Sequence, residues 1–366
     1  MTDTLFHNSH QAFASPQLVT TCITRAGQEQ YLCQEISHSV THGYRTSPVQ
    51  CTQTEPQTIV LTHHSHEDLC ALPIFFSAQC LPNSQPIHAD SITSWANCIL
   101  QALIEAFGEA SPPWLIHIFD CSSVETGKQY ARAQRIQEAL NELLKRKRRS
   151  YLRTLQLAPT PPCHLVQVVL SAPTRGFISI SDRHIRTTYK TALASTLAGY
   201  HPIPDDKRPP SRAFKKLLEA IDVFALAPSK GETAVDLGAS PGGWTYVLRQ
   251  LGLVVTAIDR SPLAESLQRD QGISWLAGNA LTWQPPKPVD WLVCDVITTP
   301  DNTAQLLTKW LSEGWCRNFC ITVKFKGHPE IDTLLSLANF LRSNTSWLDA
   351  RQLTHNKNEL TIVGSK

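Results

Sequence analysis

Polar and apolar positions follow two rhythms along this 366-residue chain, and the rhythm changes near residue 211. The first 90 residues are polar, crowded with His, Gln, Ser and Thr, and broken by short apolar runs. LVTTCI (18–23) and TIVLT (58–62) have the length and β-branched content of strands. From Ser91 the pattern turns helical. SITSWANCILQALIEAF (91–107) repeats its apolar positions three and four residues apart, and Ser111–Pro113 closes it. WLIHIFD (114–120) predicts a strand, followed by a long helix from about Gly127 into the basic run KRKRRSYLR (145–153). After APTPPC (158–163), LVQVVLS (165–171) and GFISIS (176–181) predict a strand pair. PIPDDKRPPS (202–211) predicts a linker, because its prolines and charges continue neither helix nor strand.

Past the linker the text is regular. Phe214, Leu217, Leu218, Ile221 and Phe224 make one stripe of a helix. TAVDLG, VVTAID, ISWLAG, VDWLVCDV and FCITVKF then come interleaved with helical patterns of about 10–15 residues, and WLDARQLT and ELTIVG close the chain. This alternation predicts an α/β fold with a mostly parallel, doubly wound sheet. The expected division is an N-terminal α+β domain over 1–90, a second domain over 91–200 and the α/β domain over 201–366.

Composition narrows the class only mildly. With 42% hydrophobic and 17% charged residues the chain is ordinary and globular, and a net charge of +2 permits a nucleic-acid partner without announcing one. No apolar run approaches the roughly 20 residues of a membrane span. MTDTLFHNSHQAF has no basic segment ahead of an apolar core, so it is not read as a secretory signal. Eleven cysteines, odd in number and without a CxxC pair, predict reduced thiols in a cytoplasm, with Cys22, Cys98, Cys294 and Cys320 inside apolar runs. The cluster His63, His64, His66, Glu67, Asp68 and Cys70 lacks the spacing of a structural zinc site and is taken as a polar loop, so no metal is expected.

The stretch DLGASPGGW (236–244) carries the chemistry. It falls at the end of the first strand of the α/β domain, where doubly wound sheets bind ligands. Gly238 lets the chain leave the strand sharply, Gly242 and Gly243 open backbone to a ligand, and a helix N-terminus begins at Trp244. No lysine follows the glycines as a nucleotide triphosphate loop requires, and Ala239-Ser240 stand where a nicotinamide fingerprint needs its second glycine. Asp259, at the end of the next strand and roughly 20 residues on, suits the hydroxyls of an adenosine ribose. Asp236 favours a cationic donor, since a carboxylate beside a pyrophosphate is repulsive. The loop therefore points to S-adenosylmethionine.

SRAFKKLLEA, DLGASPGGW, AID, VCDV, TVKFKG and NELTIVG together resemble the FtsJ-like family of RNA ribose 2′-O-methyltransferases, over about residues 211–364. The order of elements is most similar to the members that methylate a cytidine of 23S ribosomal RNA and carry an N-terminal and a THUMP domain upstream. The resemblance implies a Rossmann-like, S-adenosylmethionine-dependent methyltransferase domain behind a THUMP-like RNA-binding domain at 91–200. It places the family's catalytic tetrad on Lys216, Asp295, Lys324 and Glu359. Ser240, Pro241, Gly242, Gly243, Asp259, Asn279 and Asp295 line the donor site, joined from the loop's own chemistry by Asp236, Gly238 and Trp244. Asn279 replaces the acid common in relatives, and Ala213 stands where some relatives have serine. The implied substrate is ribosomal RNA, methylated by a cytoplasmic monomer before full ribosome assembly. Alternatives are another structured RNA such as tRNA, or a catalytically weak RNA-binding or ribosome-assembly protein that kept the fold.

Taken singly, these residues have plainer readings. Lys215 and Lys216 suit the exposed face of an amphipathic helix, Asp295 could cap a helix, and Glu359 could be an edge-strand charge. Asp295 and Lys324 nonetheless both end strands of one sheet. A ribose hydroxyl is a weak nucleophile, so the expected work is alignment and removal of one proton. Lys324 serves either as the base, if neutral, or as a charged stabiliser of the alkoxide, and the sequence leaves both open. Lys145, Arg146, Lys147, Arg148 and Arg149 form the expected phosphate-tracking patch, extended by Arg183, His184, Arg186 and Lys190.

Overall fold

The computed structural model describes residues 17–158 and 163–366, so the segment read for a secretory signal lies outside the described residues. Three sheets follow in chain order. Strands β1 (Leu18–Ile23), β2 (Gln50–Glu55), β3 (Thr58–His63) and β4 (Gln79–Pro82) form an antiparallel sheet in the order β2-β3-β1-β4. The helix Glu29–Thr41 buries Leu32 and Ile36 in one core with Cys22, Ile59 and Leu61.

The second sheet has the order β5-β8-β7-β6, from β5 (Gln85–His88), β6 (Trp114–Asp120), β7 (His164–Ala172) and β8 (Arg175–Ser181). Its first strand thus lies upstream of Ser91. The helices Ile92–Phe107 and Ala131–Lys147 share its core through Trp95, Ile99, Ile136 and Leu140. Ser91 caps the first of them, accepting the Ser94 N–H at 3.1 Å. The long helix predicted through the basic run is interrupted. Arg148 has non-helical φ −148° and ψ 57°, and a separate turn of helix resumes at Arg149–Thr154.

The third sheet holds β9 (Thr233–Leu237), β10 (Val254–Asp259), β11 (Ile273–Ala277), β12 (Val289–Cys294), β13 (Cys316–Lys324), β14 (Trp347–Arg351) and β15 (Glu359–Ser365) in the order β11-β10-β9-β12-β13-β15-β14. The first five are parallel, β15 runs antiparallel to them, and β14, antiparallel to β15, returns to their direction. The chain steps outward from β9 to β11 and then returns to the other side of β9 with β12. The crevice at the ends of β9 and β12 is therefore the topological switch point.

The N-terminal sheet is docked on the third. Residues of both share one apolar core, and Tyr31 meets His328 at 2.7 Å while His38 meets Asp332 at 2.8 Å. Arg25 donates to the carbonyls of Leu353 and Asn356. Cysteine usage departs from expectation, because Cys33 and Cys51, 5.8 Å apart at Cα, are joined as a disulfide. The helix Glu29–Thr41 and β2 bring these two together, which their sequence spacing did not announce. The other nine cysteines are free, with Cys22, Cys294 and Cys320 buried and Cys98 half-buried. Among the described residues no helix is long and apolar enough to cross a membrane.

Candidate active site

Strand register builds most of the constellation. Lys324 ends β13 and lies directly opposite Glu359, the first residue of β15. Thr322 and Lys324 are two residues apart and so share a face of the sheet. Asp295 follows the last residue of the neighbouring β12, and Thr322 Oγ1 donates to its Oδ1 at 2.7 Å. Lys216 arrives from the first turn of the helix Phe214–Val223.

The four side chains converge. Lys216 Nζ lies 3.1 Å from Asp295 Oδ2 and 2.6 Å from Glu359 Oε1. Lys324 Nζ donates to the Asp295 carbonyl at 2.7 Å and lies 3.0 Å from Asp295 Oδ1 and 3.9 Å from Glu359 Oε2. The side chains are 16% exposed at Lys216, 18% at Lys324 and only 5% at Glu359. Burial opposes the Lys216 charge, but Asp295 and Glu359 outweigh it and hold its pKa above the ordinary lysine value. Lys215, the neighbour on the same helix, turns away to the Ile203 carbonyl and Asp205.

Two cavities meet at this cluster. One, of about 510 Å³, lies beyond the ends of β9, β10 and β12. Asp236, Gly238, Ser240, Pro241, Gly243 and Trp244 border it. Asp259, Asn279, Asp295 and Lys324 do so from the opposite strands. Gly238 has φ +76°, and a Cβ there would fall 2.5 Å from Val296 Cγ2. The Asp259 carboxylate staples the loop, accepting the N–H groups of Ser240 at 3.0 Å and Ser261 at 2.9 Å. Asn279 Oδ1 accepts the Leu281 N–H at 3.1 Å.

Three residues expected at the donor site have surroundings that the sequence did not specify. Gly242 is outside this lining, and a Cβ there would meet Leu267 Cδ1 at 2.3 Å, so its φ of +114° serves loop packing. Trp244 is buried and donates from Nε1 to the Ala213 carbonyl at 2.9 Å, which fixes the start of the helix carrying Lys216. Asp236 is 1% exposed, accepts from Thr245 Oγ1 at 2.6 Å, and is pushed by burial up to a pKa of about 7. Burial thus favours its neutral form, while it still borders the cavity.

The second cavity, of about 840 Å³, opens on the far side of Lys216, Lys324 and Glu359 and is bordered by Arg212, Lys326, His355 and Lys357. The loop between β14 and β15 forms one wall. Glu219 holds it by accepting the N–H groups of Thr354 at 2.6 Å and His355 at 2.7 Å, while Arg25 grips it from the N-terminal sheet. Arg25 and Glu219 were missed on sequence, since nothing local marks a charge whose partners are 135 or more residues away.

In the basic run, Lys145, Arg146, Lys147 and Arg149 are exposed and Arg148 is half-buried. Lys145 pairs with Glu142 at 2.7 Å. The proposed extension is partly engaged internally. Arg186 donates to the Cys163 carbonyl and Ser195, and Lys190 donates to the Leu348 carbonyl. His63 contacts Thr20 at 2.9 Å, and His66 bridges Tyr189 and Asn83. Among the described residues no group of three His, Cys, Asp or Glu is placed to hold a metal ion.

Residues 209–343 match the family described as FtsJ-like methyltransferase. A protein named ribosomal RNA large subunit methyltransferase M from Halorhodospira halophila is 40% identical over 160 residues, which are 43% of this chain and 47% of that one. Its namesake from Pseudomonas putida is 37% identical over 196 residues, 50% of this chain and 55% of that one. The chain thus spans about half the length of the relatives it matches. A TehB-like SAM-dependent methyltransferase from Corynebacterium glutamicum, 20% identical, superposes on 40% of this chain and 86% of its own with a TM-score of 0.31, a loose likeness. The match to the FtsJ-like methyltransferase family falls within the C-terminal half of this chain.

Proposed function

We propose that this protein transfers a methyl group from S-adenosylmethionine to the ribose 2′-oxygen of a cytidine in 23S ribosomal RNA, as a cytoplasmic monomer acting before ribosome assembly encloses the target. The observation that carries the reading is the meeting of Lys216, Asp295, Lys324 and Glu359 at the wall between two cavities. The names of the relatives supply the RNA.

The smaller cavity suits the donor. Asp259 keeps lone pairs for ribose hydroxyls beyond the two N–H groups it accepts, and the Asn279 amide nitrogen can donate to adenine. Without a Cβ at Gly238, Val296 packs close against the loop and forms part of the cavity wall. When bound, the donor supplies an electrophilic methyl group. Lys324, which borders both cavities, acts on the 2′-hydroxyl, while Lys216 and Glu359 position it. Exposed Lys145, Arg146, Lys147 and Arg149, with half-buried Arg148, track phosphates on the THUMP-like domain.

The test is methyl transfer from labelled donor to an unmodified 23S transcript, with the product located by the backbone bond that resists alkaline hydrolysis. Lys324→Ala loses at least about 100-fold in turnover while donor affinity stays within a few-fold. No RNA labelling by the wild-type protein, or normal turnover by the variant, defeats the reading.

A further inference from the structure

The larger cavity carries more positive charge than its chemistry needs. Six cationic side chains border it: Arg212, Lys215, Lys216, Lys324, Lys326 and Lys357. Three carboxylates answer them, Asp205 at Lys215 and the pair Asp295 and Glu359 at Lys216 and Lys324. Three positive charges are left over. Arg212, Lys326 and Lys357 are exposed, and among the described residues their side chains form no hydrogen bond or ion pair.

The reacting end of the cavity is recessed. Lys324 and Glu359 are mostly buried, so a ribose has to enter the cavity to bring its 2′-oxygen to them. A cleft of about 840 Å³ lies in the range that encloses a single small ligand, about 300–1,000 Å³, and cannot take a duplex. At the lip common to both cavities stands Ile297, 83% exposed. A branched apolar side chain projecting beside a phosphate-binding groove matches the wedges that enter between base steps and unstack them.

Resting on the ribose-methylation reading, we infer that this groove takes one nucleotide extruded from stacked RNA. Arg212, Lys326 and Lys357 hold the flanking phosphates, and Ile297 fills the place that the nucleotide leaves. The three cations give the groove its grip without any base contact, and the wedge supplies the unstacking.

The wild-type protein and an unmodified 23S transcript provide the control, since absence of methylation there defeats the functional reading itself. Given methylation, Ile297→Ala lowers kcat/KM on the folded transcript by about ten-fold, the scale of one weakened unstacking step, and Ile297→Leu restores it. Donor affinity by calorimetry stays within two-fold of wild type. A 2-aminopurine placed beside the mapped cytidine in a short duplex brightens with wild type and not with Ile297→Ala. Equal brightening by both, none with wild type, or a loss matched by weaker donor binding overturns the wedge. In Arg212→Gln/Lys326→Gln/Lys357→Gln, the slope of log affinity against log salt shrinks by about 2, from three phosphates at about 0.7 each. An unchanged slope removes these cations from the RNA path.

Discussion

Lys216→Met tests whether the convergence of four side chains is a held structure or a loose surface cluster. Its ammonium is 2.6 Å from Glu359 and 3.1 Å from Asp295, and Glu359 is only 5% exposed. Removing one partner of a buried ion pair costs about 3–5 kcal/mol, chiefly because the other charge is left desolvated. Lys216 is 16% exposed and Lys324 remains near Asp295, so the low end applies, about 3 kcal/mol. At about 2–4 °C per kcal/mol for a domain of this size, the melting temperature falls by about 6–12 °C. The pKa of Lys216 is raised, so its contribution is complete below the ordinary lysine pKa and is lost only as pH climbs through the raised value. The penalty is therefore flat between about pH 6 and 9. Adding Glu359→Gln to the variant removes the orphaned charge and recovers at least about 1 kcal/mol. Thermal and urea unfolding of the two single variants and the double variant close the cycle. A loss below about 0.5 kcal/mol for Lys216→Met, the range of exposed pairs, refutes the reasoning.

Other consequences can be checked independently. Asp236 carries a folded pKa of about 7 against an ordinary 3.8, so it lowers stability as pH rises from about 4 to 7; Asp236→Asn flattens that part of the stability profile, and an unaltered profile contradicts it. Gly238→Ala sets a Cβ 2.5 Å from Val296 at positive φ, and calorimetry should show donor binding weakened at least about ten-fold in a folded protein. Neutralising Lys145, Arg146, Lys147 and Arg149 lowers the salt slope of RNA binding by up to about 3; an intact slope makes the run a solvated helix end. Alkylation of denatured, unreduced protein labels nine of the eleven cysteines, and eleven labels would exclude the Cys33–Cys51 bond.

Much of the α/β half was legible because its signals are local. Strand and helix rhythms, the small residues after β9 and acids at successive strand ends are short-range patterns, and a doubly wound sheet places strand ends together by topology. The upstream half was less legible. The helix Glu29–Thr41 has weak amphipathic patterning in a polar stretch, and β2 is largely exposed, so neither shows a clear period. The interruption at Arg148 was equally hidden, since a run of basic residues reads as uninterrupted helix.

By itself, then, the sequence determined the kind of sheet, the glycine-rich loop after β9 and the residue types that gather at the ends of its strands. Tertiary structure decided which of those residues face the cavity. It turned Lys216 inward and Lys215 toward the linker, and it buried Asp236, which raises the pKa of that carboxyl. It also fixed the β14–β15 loop from Glu219 and Arg25. Side-chain direction, desolvation and the excess of cations in a groove depend on distant segments meeting, and no window of neighbouring residues carries that information.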